Sequence, residues 1–206
     1  MENLCNFNKL RMYFGEDYWV TDKICIKCPT IGDILDFGDT EFYSIVNTLC
    51  SNPTTFRLQL WRKGQDWNEI SDFDFFVSIT KMFSSKDTGL IFGDLDLSWF
   101  VPFFDKEKDA NILIYLPRNE KGDIVPVNLN DAIVIDELVC TRMVTYLREM
   151  FDIHPKVEHA KNKFTKLAII EEDEMNEAIE MQKKKDKIVG DSPLLSLVSA
   201  LVNHPG

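Results

Sequence analysis

The sequence predicts an α+β fold, in which antiparallel strands with short helices are followed by a C-terminal helical arm. Hydrophobic residues make up 45% and charged residues 28% of the chain, a balance that excludes an intrinsically disordered protein. Short apolar runs and helical spacing alternate up to residue 135, and helical spacing dominates afterwards. We therefore expect an acidic mixed α/β region at residues 1–135 and a helical region at residues 136–206.

Negative charge is concentrated in the first three quarters of the chain. Residues 1–155 carry 25 acidic and 15 basic groups, which is −10 of the total charge of −11. Such a chain lacks the clustered Lys and Arg side chains that neutralise nucleic-acid phosphates or attach a protein to an anionic membrane. We therefore expect protein partners, with no nucleic acid and no membrane, and interpret the acidity as a means of solubility.

The sequence favours a cytosolic protein. No segment approaches the roughly 20 apolar residues that span a bilayer, and the first residues lack the basic and apolar regions of a signal peptide. The five cysteines are odd in number and scattered along the chain, unlike the framework of a secreted disulfide-rich protein.

The first predicted element is a hairpin. Residues 10–14 form one extended run, and residues 19–28 form a second run that alternates from Ile24 onward. A further tight turn is expected at residues 22–23. Pro29 ends the second strand because it cannot donate a hydrogen bond to a ladder.

Four short helices are predicted next. Thr30 is a good N-cap for a helix over residues 31–37, which Gly38 ends, and Ser71 or Asp72 caps the fourth helix. Apolar residues at helical spacing predict the other three at residues 41–50 (capped by Asp39 or Thr40), 54–62 and 72–84.

Short apolar runs then predict a β-rich stretch. The run at residues 112–116 is dense enough for a buried strand and too short for a core helix, and Pro126 places its own strand at an edge. The predicted strands lie at residues 89–93, 97–101, 112–116, 124–127 and 133–135.

The rest of the chain is predicted to be helical. An amphipathic helix is expected over residues 136–150, and residues 157–187 contain no Gly or Pro and favour a long helix. Ser192 and Pro193 then provide the start of a helix over residues 194–202. That last helix is apolar on all sides, so it must be buried against its own core or against a partner.

The candidate chemical motifs all favour structural roles. Cys25 and Cys28 have C-x-x-C spacing, but a zinc site needs four ligands and a redox pair needs a helix start. His154 and His159 do not share a helix face. Asp94 and Asp96 lack the remaining ligands of an EF-hand and are typical of a solvated turn.

No catalytic signature is present. The sequence lacks the phosphate-binding loop, the dinucleotide-binding glycine motif, the nucleophile elbow and the paired-histidine zinc motif. We therefore expect a non-enzymatic protein with no catalytic residues, no metal and no cofactor.

The long helix has two interpretations. Acidic residues 171–174 lie toward its start and Lys183–Lys185 toward its end, which suits the helix dipole of a solvated helix. The functional alternative is a helix that binds another helical protein. Its methionines support this alternative, because methionine adapts well to irregular surfaces. The candidate partner-binding residues are Met175, Ile179, Met181, Leu194, Leu197, Val198 and Leu201.

Two segments resemble tail-assembly proteins of tailed bacteriophages that infect Gram-positive hosts. Pro29–Ile34 reads P-T-I-G-D-I and leads from a strand into helices, with Gly38 behind it. The end of the chain is also similar, with the Lys183–Asp186 cluster followed by the apolar segment Ser192–Gly206.

This resemblance implies a tail assembly chaperone, which binds the helical tape-measure protein in the host cytoplasm during tail morphogenesis. The β-rich middle is larger than in many such chaperones and favours the alternative of a structural subunit in the neck, tail or baseplate of the virion. An enzyme or host-targeting protein with an unmarked site is the third alternative. The partners implied are the tape-measure protein or other tail proteins, and the apolar helices also allow a homo-oligomer.

Overall fold

A computed structural model describes residues 7–106, 109–119, 121–128 and 131–186, and it confirms the α+β prediction. Within those ranges the helices are α1 (Lys9–Tyr13), α2 (Ile31–Phe37), α3 (Asp39–Cys50), α4 (Arg57–Arg62), α5 (Asp72–Thr80), α6 (Ser85–Phe92), α7 (Glu137–Phe151) and α8 (Lys163–Asp186). The strands are β1 (Tyr18–Trp19), β2 (Cys25–Ile26), β3 (Phe100–Asp105), β4 (Ala110–Tyr115) and β5 (Val134–Ile135).

The predicted first strand at residues 10–14 is wrong, because this segment belongs to α1. Asn8 caps that helix by accepting a hydrogen bond from the backbone N–H of Leu10 at 3.0 Å, and the segment Lys9–Tyr13 contains no β-branched residue. The hairpin is smaller than predicted and pairs β1 with β2 in antiparallel register. Its turn lies at residues 22–23, where a tight turn was expected.

The cap of α2 is confirmed. Thr30 and Asp33 form a capping box, in which each side chain accepts a hydrogen bond from the backbone N–H of the other. Gly38 follows with a φ of 106°, a left-handed conformation that glycine adopts without a steric penalty. Because Gly38 is itself the N-cap of α3, the predicted caps at Asp39 and Thr40 are wrong.

The predicted strand at residues 89–93 is also wrong, because these residues end α6. Ser84 and Asp87 form a second capping box that starts the helix before the apolar run begins. Gly93 ends it with a φ of 64°. The helix predicted over 72–84 is too long, because α5, capped by Ser71, ends at Thr80 and α6 begins separately at Ser85.

The central sheet has the order β3-β4-β5, and its pairs are antiparallel. Residues 97–99 form a 3₁₀ turn, so β3 begins at Phe100 and continues through Pro102. A proline is compatible with β3 because that strand lies at the sheet edge. Residues 124–127, predicted as a strand, contribute one isolated bridge between Ile124 and Arg118.

The main core contains residues from both sides of the predicted boundary between residues 135 and 136. Met143, Tyr146 and Leu147 of α7 are buried in the same cluster as the apolar faces of α3 and α5. Arg148 reinforces this packing, because its guanidinium donates to the carbonyl oxygens of Cys50 and Ser51 at 2.8 and 3.0 Å. The change in composition at residue 136 thus falls inside one packed unit, and the predicted domain boundary there stays untested.

The long helix α8 has a smaller contact with the rest of the protein. It begins at Lys163, later than the predicted residue 157, and packs along α4. The buried residues at this contact form a cluster separate from the main core: Leu58, Trp67, Ala160 and Ile170. The helix predicted at residues 194–202 lies outside the described residues.

Candidate protein-binding face

The outward side of α8 is the candidate functional site. With 3.6 residues per turn, Phe164, Ala168, Met175 and Ala178 fall on one side of the helix. Ile170, the residue buried against α4, falls on the opposite side. Phe164 is 84% exposed and Met175 is 62% exposed. We call this surface the free face of α8, and it consists of Phe164, Leu167, Ala168, Glu171, Met175, Ala178, Ile179 and Gln182.

One stripe of the free face has the spacing of a coiled-coil seam, with four apolar positions and the polar residues Glu171 and Gln182. Positions 164, 168, 171, 175, 178 and 182 alternate steps of four and three residues, which keeps one stripe in line along the helix. Leu167, Ile179 and Met181 flank this stripe and are exposed. An α-helix of 24 residues is about 36 Å long, so the stripe offers a second helix a long and narrow contact.

The opposite side of α8 is held to α4 by charge. Arg57 donates from Nε to Asp173 Oδ2 at 2.5 Å and from Nη2 to Asp173 Oδ1 at 2.7 Å. Its third nitrogen, Nη1, pairs with Glu158. The hydrogen bonds with Asp173 raise the pKa of Arg57 above its usual value. This bidentate pair fixes the rotation of α8 about its own axis, and thereby directs the free face away from α4.

Two further ion pairs hold α8, one to α4 and one to Asp66, which follows α4. Arg62 pairs with Glu177 at 2.6 Å, and Lys166 pairs with Asp66. The hydrogen bond from Arg62 lowers the pKa of Glu177. Burial would raise the pKa of Asp66, but the hydrogen bond and charge of Lys166, with a backbone N–H, outweigh burial and lower it. Both carboxylates are therefore stabilised in their charged form by the attachment of α8.

The apolar part of this contact is small and centres on Trp67. The indole Nε1 of Trp67 donates to the carbonyl oxygen of Glu158 at 3.2 Å, and the ammonium of Lys166 lies 5.9 Å from its ring centre. Trp61 packs edge-on against Trp67 at 6.0 Å. The attachment of α8 thus combines two tryptophans, one buried isoleucine and three ion-pair sites.

The structure brings together only part of the predicted partner-binding set. Met175, Ile179 and Met181 are exposed on α8, with Met175 and Ile179 on its free face. The other predicted residues, Leu194, Leu197, Val198 and Leu201, lie outside the described residues. The prediction omitted Phe164 and Ala168, although their four-three spacing to Met175 was readable in the sequence. It also omitted Arg57 and Asp173, because ion pairs across 116 positions leave no sequence signal.

The C-x-x-C cysteines have no features of a reactive pair. Cys25 is in β2, while Cys28 follows that strand and donates its backbone N–H to Asp17 at 3.2 Å. Burial, followed by the charge of Asp17, raises the pKa of both thiols. A raised pKa keeps them protonated near neutral pH, which disfavours nucleophilic chemistry.

The other candidate motifs are exposed or structural. His154 is exposed beside Asp152, and His159 is exposed. Asp96 departs from the expected solvated turn because it is buried and caps residues 97–99 through the N–H of Ser98. Among the residues with described positions, no group of three His, Cys, Asp or Glu side chains is arranged to hold a metal ion. No helix in the same ranges is long and apolar enough to cross a membrane.

Comparisons with protein-family models, with characterised proteins and with solved structures found no match to this chain.

Proposed function

We propose that this protein is a non-enzymatic assembly chaperone that binds a helical client along the free face of α8. The observation that carries the proposal is the exposure of Phe164, Met175 and Ile179 on a helix whose opposite side is already attached to α4. Apolar side chains in one stripe of a helix are the usual means by which one helix recognises another. Methionine and alanine in that stripe tolerate clients of varied sequence.

The client that we propose is the tape-measure protein of a bacteriophage tail. The resemblance of Pro29–Ile34 and of the C-terminal segment to phage tail-assembly proteins supports this identity. A long helical client needs an elongated binding site rather than a pocket, and the free face offers one. The acidic charge of residues 1–155 supports the same role by keeping a complex with an apolar client soluble.

Co-expression with the tape-measure protein encoded by the same genome tests this proposal. The double variant Met175→Asp/Ile179→Asp places two charges in the stripe, and we expect it to lose the tape-measure protein in a pull-down. Met82→Asp is the matched control, because Met82 is equally exposed but follows α5. Equal recovery of the client by wild type and by the double variant would contradict the proposal.

A structural subunit of the virion is the second candidate. The observation that favours it is a second apolar surface, on which Val101, Phe103 and Phe104 of edge strand β3 are exposed. Subunits that remain in a particle commonly bury such surfaces against neighbours. Mass spectrometry of purified virions separates the two functions, because a chaperone is expected to be absent and a subunit to be present in stoichiometric amounts.

A further inference from the structure

The charges on α8 are arranged for pairing with a second copy of the same helix. Glu172 and Lys183 are both exposed and are eleven residues apart, which is close to three helical turns. They therefore lie on the same flank of the free face, Glu172 near its middle and Lys183 just past its last residue, Gln182. Neither is among the α8 residues with an ion pair to α4 or to Asp66, which are Lys166, Asp173, Glu174 and Glu177.

Opposite charges along one flank of a stripe favour an antiparallel partner. If two α8 helices run in opposite directions, each flank meets the same flank of the other copy, so Glu172 of each copy lies beside Lys183 of the other. In a parallel pair this flank meets the opposite flank of the other copy, so Glu172 and Lys183 are not brought together. Charge pairs beside the apolar stripe help to set partner choice and helix orientation in coiled coils.

The apolar residues of the second half of the free face fall at the centre of the same arrangement. The midpoint between Glu172 and Lys183 lies between Glu177 and Ala178. Met175, Ala178 and Ile179 of both copies would therefore surround the two-fold axis, where the side chains are best protected from water. A single stripe of this kind makes a contact smaller than a standard stable interface, so the expected dimer is weak and exchanges with its monomer.

We propose that the chain forms an antiparallel homodimer through the second half of the free face of α8, from Glu171 to Gln182. The dimer covers Met175 and Ile179 when no other helix occupies the stripe. The inference rests on the geometry of α8 and requires no client. It goes beyond the proposed chaperone function, because a client helix would have to compete with the second copy for the same residues.

Sedimentation equilibrium of the full chain without any client tests the dimer. We expect a monomer–dimer equilibrium between micromolar and millimolar concentration for the wild type and a monomer for Met175→Asp/Ile179→Asp. Circular dichroism of each variant distinguishes loss of the dimer from loss of the fold. A wild-type protein that remains monomeric throughout this range would overturn the proposal.

Charge reversal tests the orientation. Lys183→Glu or Glu172→Lys alone should raise the dissociation constant of the dimer about tenfold, because each two-fold dimer contains the altered pair twice. The combination Lys183→Glu/Glu172→Lys should restore the wild-type dissociation constant. Lys63→Glu, at an exposed position that ends α4, is the control with the same change of charge.

The outcomes separate this inference from the chaperone function. Single reversals that leave the dimer unchanged, or a double reversal that does not restore it, would contradict the antiparallel arrangement. Client recovery is measured by pull-down and self-association by sedimentation. A protein that binds its client but stays monomeric would overturn the dimer alone, and a dimer without client recovery would overturn the chaperone function alone.

Discussion

Arg57 of α4 and Asp173 of α8 form a bidentate ion pair, with nitrogen–oxygen distances of 2.5 and 2.7 Å. Both side chains are about four-fifths buried, so water screens the pair less than it screens a surface salt bridge. The pair joins helices that are far apart in sequence and determines which side of α8 faces outward. The presentation of the candidate binding face therefore depends on this contact.

Replacement of Arg57 should loosen α8. For Arg57→Ala we expect a loss of about 2 kcal/mol in the free energy of unfolding, because Asp173 keeps its charge but loses its hydrogen bonds. Denaturant unfolding followed by tryptophan fluorescence measures the change. Arg62→Ala is the matched control and should cost clearly less than Arg57→Ala, since Arg62 is more exposed and water screens its ion pairs. Equal losses for the two variants would contradict the assigned role of Arg57.

Acid should detach α8 before it unfolds the main core. The pKa values of Glu177 and Asp66 are lowered in the folded state, so each stabilises the protein above its ordinary pKa of about 4. That stabilisation is lost as the pH falls through the lowered folded-state values. We expect the protection factors of α8 amides in hydrogen exchange to fall below about pH 4, while those of α7 amides remain high. An equal fall in both helices would contradict the separate attachment of α8.

Two methionines should differ sharply in their contribution to stability. Met143 of α7 is fully buried in the main core, whereas Met175 of α8 is exposed. Met143→Ala should cost about 3 kcal/mol, because it leaves a cavity where α7 meets its neighbours. Met175→Ala should change the unfolding free energy by less than about 0.5 kcal/mol. A large loss at Met175 would show that the free face is covered within the monomer.

The buried thiols should be protected in the folded protein. Burial raises the pKa of Cys50 and of Cys140 to about 12, and Cys140 also faces the charge of Asp72. We expect iodoacetamide at pH 8 to leave both thiols unmodified until the protein unfolds. Peptide mass spectrometry before and after denaturation measures the modification. Rapid alkylation of Cys140 in the native state would contradict the placement of α7 in the core.

Local sequence signals predicted those elements whose start signals are short and whose apolar pattern is regular. Thr30 and Ser71 marked the starts of α2 and α5, because a capping side chain acts within three residues of the backbone that it binds. The run at 112–116 became β4 because its density of apolar residues suits a buried strand.

The wrong predictions concern short apolar runs that are compatible with either a strand or a helix. Residues 89–92 alone are equally suited to a strand, and the capping box at Ser84 and Asp87 upstream makes them helical. Residues 10–14 became helical for a similar reason, since the cap at Asn8 precedes the run.

The candidate site was predictable only on its outward side. Met175 and Ile179 follow from helical spacing, which is a property of consecutive residues. The inward side is determined by Arg57, Arg62 and Asp66, which lie a hundred or more positions before their partners on α8. Only the folded chain shows that these side chains meet, and hence which side of α8 remains free.

Site-specific crosslinking at position 175 is the most direct test of whether the free face of α8 binds a client. A photoreactive amino acid replaces Met175 in the full chain, and the same amino acid replaces Met82 in the control. During tail assembly in the host, we expect a crosslink from position 175, but not from position 82, to the tape-measure protein. The absence of that crosslink, or its equal yield from both positions, would contradict the claim that the free face of α8 binds a helical client.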